Sequence, residues 1–445
     1  MNILLANPVV INQNSHPPLG LLYIADSLRK KGYNVFLYDP VKSNPSLFES
    51  SLKENNIDSI GFYSTASQRN ELLRLAHLAK SVNNKIYTFV GGPHASSRPR
   101  DLEPKEDIDY IIIGEGIKIF PELLDNLYSG KNKNEKNIHG GAFISPKILA
   151  AERVTNLDDY TPLRELADME RYMVKSNNRI RGLEISGTSI LATTGCPYVC
   201  SYCSSDSIFG HNIIYRNPAS VVQEENRLMN TLGVESLFYV DDTLTVNRKY
   251  FNSLLEEKIN SGNNSLWAFQ SRVQAVKKED LYLLEKSGCV QEEFGAESGS
   301  QRILDLMHKH QKVEEIITAF DILSKSNIRT FANFMFDYPT ETKEDIIRTF
   351  ELIETIDPTI CGLWQCTPYP GTKLFDEAVK NNQLKYSEEE LYTLFDRMWA
   401  ERVKDFNGYF VGSDEIHAFV KEKIIQSGLD KKMYSGNWTI LNQGD

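Results

Sequence analysis

The first 195 residues contain no cysteine, and the whole 445-residue chain has six. A disulfide framework spread along the chain is thereby excluded, and a reducing compartment is expected. Long apolar runs are also missing: none approaches the ~20 residues that a membrane-spanning helix needs. Met1–Asn7 lacks the basic stretch that precedes a signal-peptide core. A cytoplasmic protein with no membrane partner is the expectation. Positive charge is in deficit, since 49 Lys and Arg stand against 60 Asp and Glu, a formal net charge of -11. That balance argues against a broad phosphate-neutralising surface, and so against nucleic acid as a partner.

Apolar residues are plentiful, at 41%, and occur along the whole length, which indicates a globular chain too long for one core. Asn2–Asn7 has buried-strand character, and Leu19–Lys31 follows with apolar residues at helical spacing until Gly32. Further strands are predicted at Val35–Tyr38, Asp58–Tyr63, Ile86–Val90 and Asp109–Ile113, with helical stretches such as Gln68–Val82 between them. This alternation predicts an α/β fold with a doubly wound, Rossmann- or flavodoxin-like parallel sheet over residues 1–128. The Lys- and Asn-rich Ser129–Asn137 breaks the pattern, and residues 129–187 read as a connection.

The alternation resumes over residues 188–385. Strands are predicted at Ser189–Thr194, Ser236–Val240, Leu266–Ser271, Glu292–Glu297, Thr330–Phe336 and Ile360–Cys366. Helices fall between them near Pro218–Leu232, Arg248–Ile259, Lys277–Lys286, Ser300–Met307, Val313–Ser324 and Lys343–Ile356. Six repeats predict a partial (β/α)6 TIM barrel. Residues 386–445 are expected to be a mostly helical C-terminal segment, with aromatic positions of no clear period in its last forty residues.

Three of the six cysteines, Cys196, Cys200 and Cys203, form CxxxCxxC directly after a predicted strand. Three thiolates on one loop can hold a compact iron–sulfur cluster. The missing fourth ligand would leave one iron of a 4Fe-4S cluster open to a substrate. A structural zinc site is the alternative; it closes with a fourth Cys or His, for which His211 is nearest. Cys289, Cys361 and Cys366 read as small core residues.

CxxxCxxC with aromatic Tyr202 before the last cysteine, at the first strand of a strand–helix barrel, resembles the radical S-adenosylmethionine (SAM) superfamily. The resemblance implies that the open iron chelates SAM, which is cleaved to a 5′-deoxyadenosyl radical, with an external electron donor such as flavodoxin or ferredoxin. It also implies a SAM-binding set at strand ends: Tyr202, Asp241, Gln270, Arg272, Glu297, Ser298 and Pro368. Tyr239–Thr245 resembles the second-strand end near the methionyl group, Phe294–Ser300 the fourth-strand ribose motif, and Thr367–Thr372 the sixth-strand turn at adenine. Arg272 could fork onto the methionyl carboxylate or pair with Glu297. Structural readings remain open for two of these, Asp242 as a helix N-cap and Glu297–Gly299 as a turn. Where the family carries Gly-Gly-Glu, this chain has Val240-Asp241-Asp242.

The N-terminal loops Asn7-Pro8, Pro17–Gly20, Ser64–Ser67, Gly91–His94 and Gly114–Gly116 lie at predicted strand ends, where open α/β sheets bind ligands. Together they resemble the cobalamin-binding domain fused to many radical SAM enzymes. Implied cobalamin contacts are Pro8, Leu19, Gly20, Ser64, Thr65, Gly91, Gly92, Pro93, His94, Gly114 and Glu115. The cobalt-ligating DxHxxG motif is absent; His94 and His16 are lower-ligand candidates, or hydrogen-bonding residues.

The resemblance implies a cobalamin-dependent radical SAM enzyme that methylates an unactivated carbon of a small molecule or peptide. The alternatives are ring formation or contraction without methyl transfer, and a non-catalytic corrinoid or redox sensor. A transfer-RNA methylthiotransferase would need N-terminal cysteines, which this chain lacks. Trp364, Tyr369, Trp399 and Trp438 are aromatic candidates for substrate contact or packing.

Overall fold

The computed structural model describes residues 1–9, 16–102, 106–129, 141–145, 147–175, 179–180, 182–401, 408–429 and 434–436. Short apolar segments form the first sheet: β1 (Asn2–Ala6), β2 (Asn34–Tyr38), β3 (Ser59–Tyr63), β4 (Tyr87–Gly91) and β5 (Tyr110–Ile113). Helices α1 (Leu19–Lys30), α2 (Pro45–Glu54), α3 (Arg69–Val82), α4 (Pro93–Ser97) and α5 (Gly116–Tyr128) connect or follow these strands. The parallel order β2-β1-β3-β4-β5 is flavodoxin-like, with its topological switch between β1 and β3. Both faces are covered: Phe48, Leu72 and Leu75 pack on one, and Leu28, Phe120 and Leu123 on the other.

This sheet runs past residue 128, into the stretch read as a connection. Strands β6 (Gly141–Ser145) and β7 (Ile148–Ala151) extend it beyond β5, with β7 parallel to β5 and β6 antiparallel to β7. Residues 130–137 of the expected break lie outside the described residues. From 152 to 175 the chain makes short turns and one helical turn, α6 (Met169–Tyr172), fastened by ion pairs. Arg29–Glu165 and Arg171–Asp39 tie it to the first domain; Asp158–Arg216 and Arg164–Glu224 tie it to the second. Anchoring by single charged contacts explains why no amphipathic period was visible there.

The second domain starts with β8 (Gly187–Ile190), the short β9 (Thr193–Thr194), α7 (Asp206–Phe209) and β10 (Ile214–Tyr215). There follow α8 (Pro218–Leu232), β11 (Ser236–Tyr239), α9 (Arg248–Asn260), β12 (Leu266–Ser271), α10 (Leu281–Lys286) and β13 (Cys289–Glu297). Next come α11 (Gln301–Leu306), α12 (Val313–Leu323), β14 (Arg329–Phe336), α13 (Lys343–Ile356) and β15 (Ile360–Gln365). The predicted first strand is in fact two, because the chain bends between Ile190 and Thr193. Strands β8, β11, β12, β13, β14 and β15 form a parallel arc, the expected six-strand partial barrel. A three-residue β16 (Tyr434–Gly436) adds to β15 and is too short to show a period. Local signals fix the helices: Asn217 caps α8 ahead of Pro218, Gly233 ends it in the left-handed region, and Thr342 with Asp345 makes a capping box on α13.

After β15 come α14 (Lys373–Lys380), α15 (Glu388–Glu401) and α16 (Ser413–Ser427). Helix α16 lies in the tail that showed no period. Its buried stripe is Ser413, His417, Val420 and Ile424, so two of the four inward positions are polar and mask the pattern. Trp438 and the side chain of Trp399 lie outside the described residues. Among the described residues, no helix is long and apolar enough to cross a membrane.

Behind β11 a buried ion pair joins α8 to α9. Lys258 and Glu225 have fully buried side chains, with Nζ 2.7 Å from the carboxylate. The Tyr239 hydroxyl and the Asn263 amide donate to the same carboxylate at 2.6 and 3.1 Å. Lys258→Met leaves that carboxylate buried without its cation, so a loss of about 3–5 kcal/mol is expected. Urea unfolding should show a lower midpoint, and Glu225→Leu added to Lys258→Met should recover part of the loss.

Candidate active site

The cysteine loop leaves β9 through Gly195, whose φ is +98°; a Cβ there would lie 2.3 Å from the Asn212 carbonyl oxygen. Only glycine fits. Upstream, the buried Asp241 carboxylate at the end of β11 accepts the backbone amides of Ala192, at 3.1 Å, and Thr193. Burial pushes its pKa up to about 7, against the pull of these amides. Asp241 therefore shapes the approach to the loop and does not face an open site. Downstream, Ser201 donates its amide to Met307 O at 2.9 Å and accepts from Leu374 N at 2.8 Å. Its hydroxyl meets the Tyr338 hydroxyl at 2.9 Å.

With the loop clamped at both ends, Cys196 and Cys200 are half-buried and Cys203 is exposed toward a cavity. Cys196 Sγ lies 3.3 Å from Thr243 Oγ1, and Arg272 donates from Nη1 to Cys200 Sγ at 3.7 Å. Among the described residues, no three His, Cys, Asp or Glu side chains converge on a single-ion site. Cluster thiolates each take a separate iron, whereas zinc gathers its ligands on one ion. His211 is turned to the Cys196 carbonyl, at 3.4 Å, and to Asp206, at 3.9 Å.

Beside the loop, Glu297 ends β13 with φ +63°. Its carboxylate accepts from the Tyr202 hydroxyl at 2.8 Å and from Lys309 Nζ at 2.8 Å. Gly295 makes room for this group: a Cβ there would lie 2.3 Å from Glu297 Oε1 and 2.6 Å from Lys309 Nζ. Lys309 escaped sequence reading. Its setting is a loop, His308–His310, whose two histidines both have φ near +50°. With Lys309 on Glu297, Arg272 makes no pair with that carboxylate.

Several expected SAM contacts face elsewhere. Ser298 is fully buried against Thr349 Oγ1, 3.2 Å away, and accepts from Ser300 N at 3.1 Å. The left-handed turn at Glu297 separates the two neighbours. Gln270 donates to Glu293 at 3.2 Å inside the barrel, where Gln291 and Arg179 also reach Glu293. Trp364, expected as an aromatic for substrate contact or packing, donates to Asn333 at 2.6 Å. Pro368 is buried, while its neighbours Tyr369 and Pro370 line the cavity. Asn247 caps α9, and Asp242 instead accepts from the Ser205 hydroxyl at 2.6 Å.

The cavity, of about 780 Å³, lies between the two domains. One wall is the carboxyl edge of the first sheet: Leu19, Gly20, Thr65, Gly91, Gly92, Pro93, His94, Gly114 and Glu115 all line it. Pro8 and Ser64 do not. The Ser64 backbone is used behind Gly92, bonding Gly91 O at 2.8 Å and His94 N at 2.9 Å. The opposite wall carries Cys203, Ser204, Ser205, Val240, Asp242 and Tyr369.

The first wall fits a wide ligand rimmed with amides, as cobalamin is. Gly20 has open space where a Cβ would stand, and at Gly91 only one backbone oxygen comes within 4 Å. Glu115 keeps Oε1 buried without a hydrogen-bond partner, while Oε2 accepts from Val154 N at 2.9 Å. Both ring nitrogens of buried His94, and Nδ1 of His16, also lack partners, and burial lowers each imidazole pKa to about 4. Neutral, unpartnered groups of this kind can meet amide donors or a metal.

A family model for a B12 binding domain matches residues 10–124, and one for the radical SAM superfamily matches residues 190–353. The chain belongs to the cobalamin-binding radical SAM enzymes. Among curated relatives, an uncharacterized methyltransferase of Pyrococcus horikoshii is 28% identical over 389 residues, covering 85% of this chain and 82% of that protein. The anaerobic magnesium-protoporphyrin IX monomethyl ester cyclase of Rubrivivax gelatinosus is 27% identical over 375 residues, covering 81% and 66%. Among solved structures, the radical SAM methyltransferase TsrM of Kitasatospora setae, with cobalamin and a [4Fe-4S] cluster bound, superposes with a TM-score of 0.73 at 17% identity, covering 98% and 92%. That likeness confirms the two-domain fold. In such a radical SAM enzyme a 4Fe-4S cluster, SAM and cobalamin are the cofactors, the substrate is a small molecule and the reductant is external.

The two halves of the site should fail separately. Gly91→Phe fills the first wall and should abolish corrinoid retention while leaving iron and sulfide per chain unchanged. Gly195→Ala should lower iron and sulfide after anaerobic reconstitution while corrinoid binding persists.

Proposed function

We propose that this chain is a cobalamin-dependent methyltransferase acting on an unactivated carbon of a small molecule or peptide. One observation carries the reading: a single cavity has the corrin-type wall on one side and Cys203 of the cysteine loop on the other. Cys196, Cys200 and Cys203 would hold the cluster, Glu297, Tyr202 and Lys309 would bind SAM beside it, and the Gly20, Gly91 and Glu115 edge would hold cobalamin. When bound, these groups supply a 5′-deoxyadenosyl radical and a transferable methyl group.

The protein's part is placement and exclusion of water. Ser201 and Asp241 fix the loop, and Lys309 keeps the Glu297 carboxylate directed beside Tyr202. Methyl transfer also accords with the name of the Pyrococcus relative. The Rubrivivax relative, a cyclase, supplies the second reading: ring closure without methyl transfer. The reductant would be a flavodoxin or ferredoxin.

Products of SAM distinguish the two readings. Methyl transfer is expected to give 5′-deoxyadenosine and S-adenosylhomocysteine in equal amounts per product, by mass spectrometry with a candidate substrate pool. Formation of 5′-deoxyadenosine with no S-adenosylhomocysteine would replace it with the ring reading. Cys200→Ala should form neither compound and lose the cluster's visible absorption.

A further inference from the structure

Arg272 is 8% exposed and directly follows β12, beside the cysteine loop. Three contacts immobilise its guanidinium: Nη2 donates to the Lys309 carbonyl, the guanidinium carbon lies 3.9 Å from the centroid of the Tyr198 ring, and Nη1 donates to Cys200 Sγ at 3.7 Å. Its Nε is buried with no partner. The nearby Glu297 is taken by Lys309 and Tyr202. Among the described residues, no carboxylate lies within ion-pair distance of Arg272. A buried cation normally has an anionic partner, because desolvation of an uncompensated charge is costly. Here the neighbour that can carry negative charge is Cys200.

We propose that Arg272 is a positioning residue that sets the reduction potential of the cluster. The inference rests on the cluster assignment made above. One-electron reduction by the external donor makes the thiolate-bound cluster one charge more negative and breaks no bond. A fixed cation donating to Cys200 Sγ stabilises that more negative form, so Arg272 raises the potential and eases reduction. Tyr198, within the cysteine motif, holds the guanidinium against the loop. Thr243 makes a useful contrast: its hydroxyl already donates to the Asp242 carbonyl at 2.6 Å, which leaves Cys196 without its proton.

The test is an EPR-monitored redox titration of the reconstituted holoenzyme without SAM, alongside iron and sulfide content and equilibrium dialysis of SAM. Arg272→Gln is expected to weaken reduction about tenfold, which is about 59 mV to more negative potential for a one-electron couple. Thr243→Val should leave the midpoint in place. An unchanged midpoint in Arg272→Gln, with SAM binding lost, overturns the proposal and assigns Arg272 to the methionyl carboxylate. If Arg272→Gln assembles no cluster, Arg272→Lys and Tyr198→Leu decide: smaller shifts in the same direction support the proposal, and wild-type midpoints overturn it. Wild-type protein that assembles no cluster would instead bring down the cluster assignment itself.

Discussion

The site depends first on one buried carboxylate. Asp241 takes the Ala192 and Thr193 amides at the bend between β8 and β9, and so directs the chain out of the barrel and into Gly195 and the cysteines. Burying the group is costly, as its raised pKa shows, and the return is a fixed loop origin. The same bend pairs β9 with β10 and brings Arg216 to bond the Leu191 and Ala192 carbonyls from its side chain and backbone. Cluster loop, barrel strand and inter-domain ion pairs thus share one anchor.

Much of this was legible in the sequence because parallel strands are buried on both faces and read as continuous apolar runs. Leu266–Ser271 and Pro218–Leu232 stand in the structure with the bounds expected of them. The loops of the first sheet were legible for a related reason: glycines cluster where a ligand approaches backbone. What a sequence hides is the direction of neighbouring side chains at a strand end. Glu297 faces the cysteine loop and Ser298 the core, because φ at Glu297 is positive. Asp241 turns inward and Asp242 outward in the turn just past β11, where no strand period fixes which neighbour faces the core. Lys309 left no trace, since its position depends on two left-handed histidines.

A cavity with one wall from each domain keeps its shape only if the domains keep their spacing. The segment from 152 to 175 fastens one side, and its Arg164, paired at 3.2 Å with Glu224 of the second domain and buried with it, forms the core of that contact. Such a pair is a weak source of net stability and a strong constraint on geometry, because separating it strands a charge.

Helix α15 fastens the other side. It leaves the barrel and returns to the first domain, where Glu389 meets Arg69 at 2.8 Å and Glu388 meets Arg98 at 2.6 Å. Glu389 is largely exposed, so that pair alone contributes little. The Tyr392 ring adds what charge does not: it sits 4.3 Å from the Arg69 guanidinium carbon and edge-on to His94 at 5.3 Å, and its hydroxyl donates to Asp101 at 2.6 Å. Because His94 itself lines the cavity, α15 reaches the first-domain wall through the Tyr392 ring. Gly371, a Cβ on which would lie 2.4 Å from Ser97 Cβ, brings the β15 turn against the same short helix α4. The second domain therefore supports the first-domain wall from behind as well as facing it, and neither wall can shift without breaking contacts made by the other.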